Sequence, residues 1–375
     1  MRVPETLLIP GPVSVSSEVL AALARPVPAH YGDEWVELYR RLTADLAGIF
    51  GTGGDVILLF GPGTAALETC LASGLASGDE VLVATNGLFG DRLAEVSRAL
   101  GLVVHPVTAG EREPIRPGDL ARAIEEHPAA RAFAVVHHET SLGLLNPVRE
   151  LCRLASGGGL LTIVDAVASL GGVPLEMDAW GIDLCASSGN KCLGAPVGVA
   201  PIAVGPRAWA AVDDGRPKIA GWYLNLATWR RYGETWASWH PSPTTMPSNV
   251  CVALAAAVDE VLERGLEAHQ ARFARAAARV REGLGELGFE MVIPEANASP
   301  VTTAVWALPD MDVADYMDWL RRERGMRLGG GLGALAGRSF RVGHMGRAAE
   351  PEAIDRYLRL TAAYVEEKGL ARARA

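Results

Sequence analysis

Between about residues 15 and 205 the chain alternates two kinds of pattern. Amphipathic stretches such as DEWVELYRRLTADLAGIF and DRLAEVSRALG repeat their apolar residues every three or four positions, the period of a helix with one buried face. Between such stretches lie short apolar runs: DVILLF, EVLVAT, AFAVVHH, LLTIVDAV, DLCASS and GVAPIAV, most of them bounded by Gly, Asp or Pro. Unbroken apolar runs of strand length, set between helices, predict strands covered on both faces. The expected fold class is therefore α/β, with a mostly parallel sheet covered by helices.

The texture changes near residue 212. The segment DDGRPKIAGWYLNLATWRRYGETWASWHPSPTTMPSN carries four of the nine tryptophans, and it reads as a long aromatic loop of the kind used for function or for an interface. A long helical pattern follows, with a break expected at Gly265. TTAVWAL, the amphipathic VADYMDWLRRERG, SFRVGHM and a last helix from about Glu350 then predict a small α+β domain. The expected division is an N-terminal segment over 1–15 that packs with the small domain, a large domain over 16–255 and a small C-terminal domain over 256–375.

Composition narrows the function classes. A chain of 375 residues with 49% hydrophobic and 21% charged residues can bury a large core. Its net charge of −9 argues against nucleic acid, which is bound through clustered Lys and Arg. MRVPETLLIPGP at the N-terminus has the form of neither a signal peptide nor a membrane anchor, so a cytoplasmic location with no membrane partner is expected. The five cysteines are scattered without a CxxC pair, and neither a disulfide framework nor a metal site is expected. All five read as buried thiols except Cys192, which stands beside a lysine.

That lysine, Lys191 in SSGNKCLGAP, sits in a constrained turn after an apolar run. In open α/β sheets ligands bind beyond the carboxyl ends of the strands, so the residues that follow each run matter most. GPGTAALE offers Gly63 and Thr64 at a helix start, where free N–H groups could hold a phosphate; it lacks the Walker lysine and reads equally as a plain strand-to-helix turn. LLTIV ends in Asp165, which serves equally as a capping or structural residue. A desolvated lysine in such company has a specific use, which is to form a Schiff base with the aldehyde of pyridoxal phosphate while a carboxylate pairs with the protonated ring nitrogen.

IPGPVSVSSEVLAALARPV, GTAALE, NGLFGDR, HHETSLG, VDAVASLGG, SGNKCLGAP and FRVGHMG together resemble, in order along nearly the whole chain, the fold-type I, class V aminotransferases that use pyridoxal phosphate. The similarity is to the alanine–glyoxylate and serine–pyruvate group. It implies a large domain with a seven-stranded type of sheet and a smaller C-terminal domain. Lys191 would hold the cofactor and move the proton, and Asp165 would keep the ring nitrogen protonated. Gly63 and Thr64 would hold the phosphate with Asn190 nearby, and Thr245 would reach across from a neighbouring subunit. Phe89 would stack on the ring, Thr140 and Ser141 would stand at its hydroxyl, and Arg341 with Gly11 would receive the substrate carboxylate. The implied partners are a small amino acid, alanine or serine, a 2-oxo acid, glyoxylate or pyruvate, and a second copy of the chain.

The sequence departs from the group where Ser242 stands in place of an expected phosphate-binding tyrosine. His137 and His138 are expected to pack or cap, and Glu68 to bond within its helix. A pyridoxamine–pyruvate transaminase is the nearest alternative, but GPGTAALE is retained and Leu332 stands where that enzyme would have a further arginine. A phosphonate aminotransferase or a lyase shares the same fold. A cysteine desulfurase needs a mobile cysteine, which Cys192 is badly placed to be.

Overall fold

In the computed structural model, which describes residues 5–370, thirteen strands follow in chain order: β1 (Thr6–Leu8), β2 (Asp55–Phe60), β3 (Glu80–Thr85), β4 (Val103–Thr108), β5 (Ala132–Val136), β6 (His138–Glu139), β7 (Leu144–Leu145), β8 (Leu161–Asp165), β9 (Leu184–Ala186), β10 (Val199–Val204), β11 (Thr302–Trp306), β12 (Met326–Gly330) and β13 (Ser339–Gly343). Seven of them form one sheet in the order β2-β10-β9-β8-β5-β3-β4. β10 runs antiparallel to its two neighbours, and the other pairings in the sheet are parallel. Every residue of β5, β8 and β9 is buried, because a strand covered on both faces needs no polar alternation.

Two elements differ from the pattern read in the sequence. β4 lies at the sheet edge, paired with β3, and Val107 is its one buried residue, so VVHPVT never forms an apolar run. Pro106 is tolerated there because an outer strand has one side free of ladder bonds. The segment 221–247 is not an unbroken loop. It contains the helix Leu226–Thr235, whose leading N–H groups at Ala227 and Thr228 donate to the Asn225 side chain at 3.0 and 3.4 Å. Trp229, Tyr232 and Trp236 follow at helical spacing, and this aromatic period was the available signal.

The second sheet has the order β1-β12-β13-β11, with β1 parallel to β12 and the remaining pairs antiparallel. The N-terminal strand thus belongs to this sheet. Two principal cores divide the side chains. The first includes Phe133, Val164, Leu184 and, from the helix Ser248–Arg264, residues as far as Val261. Gly265, at φ +80°, then ends that helix, and Leu266–Glu286 packs Phe273 and Val280 into the second core with Tyr316, Phe340 and Tyr357. Cys192 is buried in that second core, so the loop carrying Lys191 lies at the seam between the two.

Candidate active site

Strands β2, β3, β5, β8 and β9 end on the same edge of the large sheet, and the residues after each of them converge there. Asp165 is the last residue of β8 and is 7% exposed. Its Oδ1 accepts from the Val167 N–H at 2.8 Å. Burial pushes its carboxyl up to about 6, and the nearby Glu139 charge adds to this while Lys191 and Arg92 oppose it. Deep in the fold, this carboxylate is a negative charge in want of a cation.

Lys191 donates from Nζ to the Pro10 carbonyl at 2.6 Å. Burial holds its ammonium below the usual lysine range, which favours the neutral, nucleophilic amine. Gly11 lies against it. A Cβ at that position would sit 2.4 Å from Nζ, and the backbone there has φ +91°. Only glycine lets the N-terminal segment pass so close to the amine.

Thr64, Phe89, Arg92, Asp165 and Val167 line one cavity. Gly63 opens the helix Gly63–Gly74, which has no side-chain cap, so its first N–H groups are available to an anion. Here too a side chain is excluded, since a Cβ would lie 2.5 Å from Val167 Cγ2. Phe89 is at the start of the helix Leu88–Ala99, with the Arg92 guanidinium 4.9 Å from its ring centre.

Glu139 was overlooked in the sequence, although it lies inside HHETSLG. Its buried carboxylate accepts from the N–H groups of Phe89 and Gly90, each at 3.0 Å, from Ser141 N–H at 3.1 Å and from the Ser141 hydroxyl. Ser141 Oγ in turn accepts from Leu88 N–H at 3.2 Å. The pair fixes the start of the Phe89 helix against the loop after β5. A carboxylate ahead of a helix N-terminus also matches the helix dipole.

Arg341 lies on β13 opposite Gly329 and Ala304. It is 8% exposed, and it donates to Gly330 O at 2.8 Å and to Thr140 O at 3.2 Å. A Cβ on Gly329 would meet Pro10 Cδ at 2.9 Å and the guanidinium at 3.5 Å, which places Arg341 beside the same Pro10 whose carbonyl holds Lys191. The remaining residues are set differently. Asn190 follows Ser188 into the Lys191 turn, its Oδ1 accepting the Ser188 hydroxyl. Thr245 is exposed on the loop before the helix Ser248–Arg264, and among the described residues no contact joins it to this cluster. Ser242 is fully buried and donates to Thr244 O at 3.1 Å. Cys192 is buried with its thiol pushed up to about 12, a structural cysteine and not a mobile nucleophile.

The family model described as aminotransferase class-V matches residues 18–348. The chain belongs to the class V aminotransferases. An uncharacterised aminotransferase of Methanocaldococcus jannaschii is 33% identical over 94% of this chain and 90% of its own length. The pyridoxamine–pyruvate transaminase of Mesorhizobium japonicum is 30% identical over 94% and 90%. The crystal structure of an alanine–glyoxylate aminotransferase from Nostoc sp. superposes with a TM-score of 0.92 at 31% identity, covering 97% of this chain and 96% of that one. The protein is thus an aminotransferase of fold type I that depends on pyridoxal phosphate and acts on amino acids and 2-oxo acids.

The residues present fit that cofactor. A buried, uncompensated carboxylate, an amine held below its usual range, an aromatic ring and an uncapped helix start are gathered within one edge of the sheet. Two glycines keep side chains out of the space between them.

Proposed function

We propose that the enzyme transfers the amino group of a small amino acid, alanine or serine, to glyoxylate or pyruvate, in two half-reactions at one site. The observation that carries this reading is a buried guanidinium, Arg341, that flanks Gly329 together with Pro10, the residue whose carbonyl holds Lys191, and lies close enough to lower the Lys191 ammonium. Planar guanidinium matches a carboxylate fork, and anchoring it fixes the substrate Cα near the amine. Leu332 lines the neighbouring cavity together with Ser141, and the cation on that cavity is Arg112.

Bound pyridoxal phosphate supplies an aldehyde that accepts amines and a ring that spreads negative charge. Lys191 would hold the cofactor and would then move a proton at the substrate Cα, a task that the lowering of its ammonium by burial favours. Asp165 would pair with the protonated ring nitrogen, which would compensate its ionised carboxylate. The N–H groups at Gly63 and Thr64, with Asn190, would take the phosphate, Phe89 would cover the ring, and Thr140 and Ser141 would stand at its hydroxyl.

The same reading makes the protein a homodimer in which Thr245 of a second copy completes the phosphate site. Exposed Trp222, Trp239 and Tyr31 support it, since large aromatic rings left in solvent mark interfaces. Sedimentation of the holoprotein should give twice the 39.6 kDa chain mass, and an active monomer would remove this part. A cytoplasmic location belongs to the reading too, supported by five buried free thiols.

Initial rates with alanine, serine, 2-aminoethylphosphonate and free pyridoxamine as donors, each against glyoxylate and pyruvate, test the assignment. Alanine or serine should give the highest kcat/KM. Dominance of free pyridoxamine would instead transfer the assignment to the activity for which the Mesorhizobium relative is named.

A further inference from the structure

We infer that Glu80, His105 and His127 form a divalent-cation site on the large sheet, remote from the aminotransferase centre, and that zinc is the ion its chemistry fits. Glu80 is the first residue of β3, whereas the substrate site lies beyond the last residues of the strands. A six-residue strand spans roughly 17 Å, so the two sites occupy opposite edges of the sheet.

The backbone brings the three residues together. β3 and β4 pair in parallel with Glu80 opposite Val103 and Leu82 opposite His105. Side chains alternate faces, so Glu80 and His105 are diagonal neighbours on one face. His127 enters from above, as the residue that ends the helix Pro117–Glu126; its N–H donates to Ala123 O at 3.0 Å. His105 Nε2 and Glu80 Oε2 are 2.8 Å apart, and the two imidazoles stack with ring centres at 3.7 Å and planes 17° apart. One nitrogen or oxygen from each of the three lies within 4.8 Å of the others.

Two imidazoles and one carboxylate are a set that zinc accepts, with water in the fourth position. A tetrahedral ion with bonds of about 2.1 Å has its ligand atoms about 3.4 Å apart, so the cluster needs to close by on the order of 1 Å. The side chains can supply that movement, because His105 and Glu80 are 24% and 33% exposed and are not locked in a core. His127 stands at a helix C-terminus, where the carbonyl dipoles favour a cation. Arg131, whose N–H donates to the Glu80 carbonyl, has its own charge turned to Asp79 at 3.8 Å. An ion here would tie the outermost strand, its neighbour and the end of the covering helix together. The three positions are 25 and 22 residues apart in sequence, too far for any short motif to reveal them.

The test is calorimetric titration of zinc chloride into chelator-treated, desalted holoprotein, with His105→Ala, His127→Asn, Glu80→Gln and the His105→Ala/His127→Asn double variant alongside. The site predicts one ion per chain with a Kd of about 1 μM or tighter, weakened at least about tenfold by each single change and lost in the double variant. Zinc should also raise the melting temperature of the wild type and leave that of the double variant unmoved. Aminotransferase activity before zinc addition should be equal in all of them, which verifies the fold, and Asn at 127 keeps a residue tolerated at helix ends. Absence of zinc uptake by the wild type overturns the proposal. So does equal uptake by the double variant, which would assign the ion to the thiols or the cofactor phosphate.

Discussion

Burying Asp165 works against the fold, and the proposed pairing with the cofactor would give that burial a use. Raising its carboxyl from 3.8 to about 6 corresponds to about 3 kcal/mol of preference for the neutral form. The folded chain holds this proton more tightly than the unfolded chain, so the group withdraws stability as pH rises from about 4 through 6. With the cofactor removed, Asp165→Asn should melt at or above the wild type at pH 8, since Asn can keep the bond from Val167 N–H. Its turnover with cofactor added should fall at least about 100-fold. A destabilised but active variant would remove Asp165 from its assigned role. At Arg341, replacement by Ala deletes a charge-assisted pair worth about 1.5 to 3 kcal/mol, so KM for the amino acid and the oxo acid should rise about 10- to 150-fold while kcat moves less. Steady-state kinetics on both substrates checks it, and unchanged KM values would show that the carboxylate binds elsewhere.

At the scale of elements, the connection after β5 does the positioning. β5 stops at Val136, and the hairpin of β6 and β7 turns Glu139 and Ser141 across the sheet edge to hold the helix Leu88–Ala99. Glu139→Ala strips acceptors from two N–H groups of that helix and from Ser141. It should lower stability by about 2 to 3 kcal/mol and weaken cofactor binding by loosening Phe89, whereas Glu139→Gln should recover part of both. Thermal melts with cofactor titration separate the two effects. This element also shows where sequence reading stops. The central strands were legible because complete burial leaves no choice but apolar residues, and Gly265 marked its helix break. The outer strand β4 was not, since a half-exposed strand needs no apolar run. Glu139 escaped for a different reason: what distinguishes it is a set of backbone donors from residues 49 and 50 positions away, and nothing local records them. Lys191, by contrast, was conspicuous, because a long cationic side chain between glycines needs a reason.

Among the described residues five histidines are buried, and burial holds their imidazoles below the ordinary range. Burial pulls His137 and His269 down to about 4 and His138 and His344 down to about 3. Unfolding frees each to take a proton at ordinary values near 6.5, so the unfolded state binds more protons and stability falls as pH drops from about 6.5 toward 4. Asp165, Glu139 and Asp183, with raised values, pull the other way over part of that range, but five groups outweigh three. The melting temperature of the cofactor-free protein should therefore decline steadily from pH 7 to pH 5, and a flat profile would contradict the burial of these rings. No helix among the described residues is long and apolar enough to cross a membrane. The seam between the two cores, where Lys191 meets the N-terminal segment and Arg341 reaches over from β13, is the feature on which the functional reading depends.

The most direct test of that reading is the visible absorbance of the purified holoprotein through one cycle of additions, L-alanine or L-serine first and glyoxylate or pyruvate second, with Lys191→Ala as the control. The cofactor band should fall with the amino acid, return with the oxo acid, and do neither in the variant. A band that ignores both amino acids yet responds to free pyridoxamine, or a Lys191→Ala protein that cycles like the wild type, would contradict it.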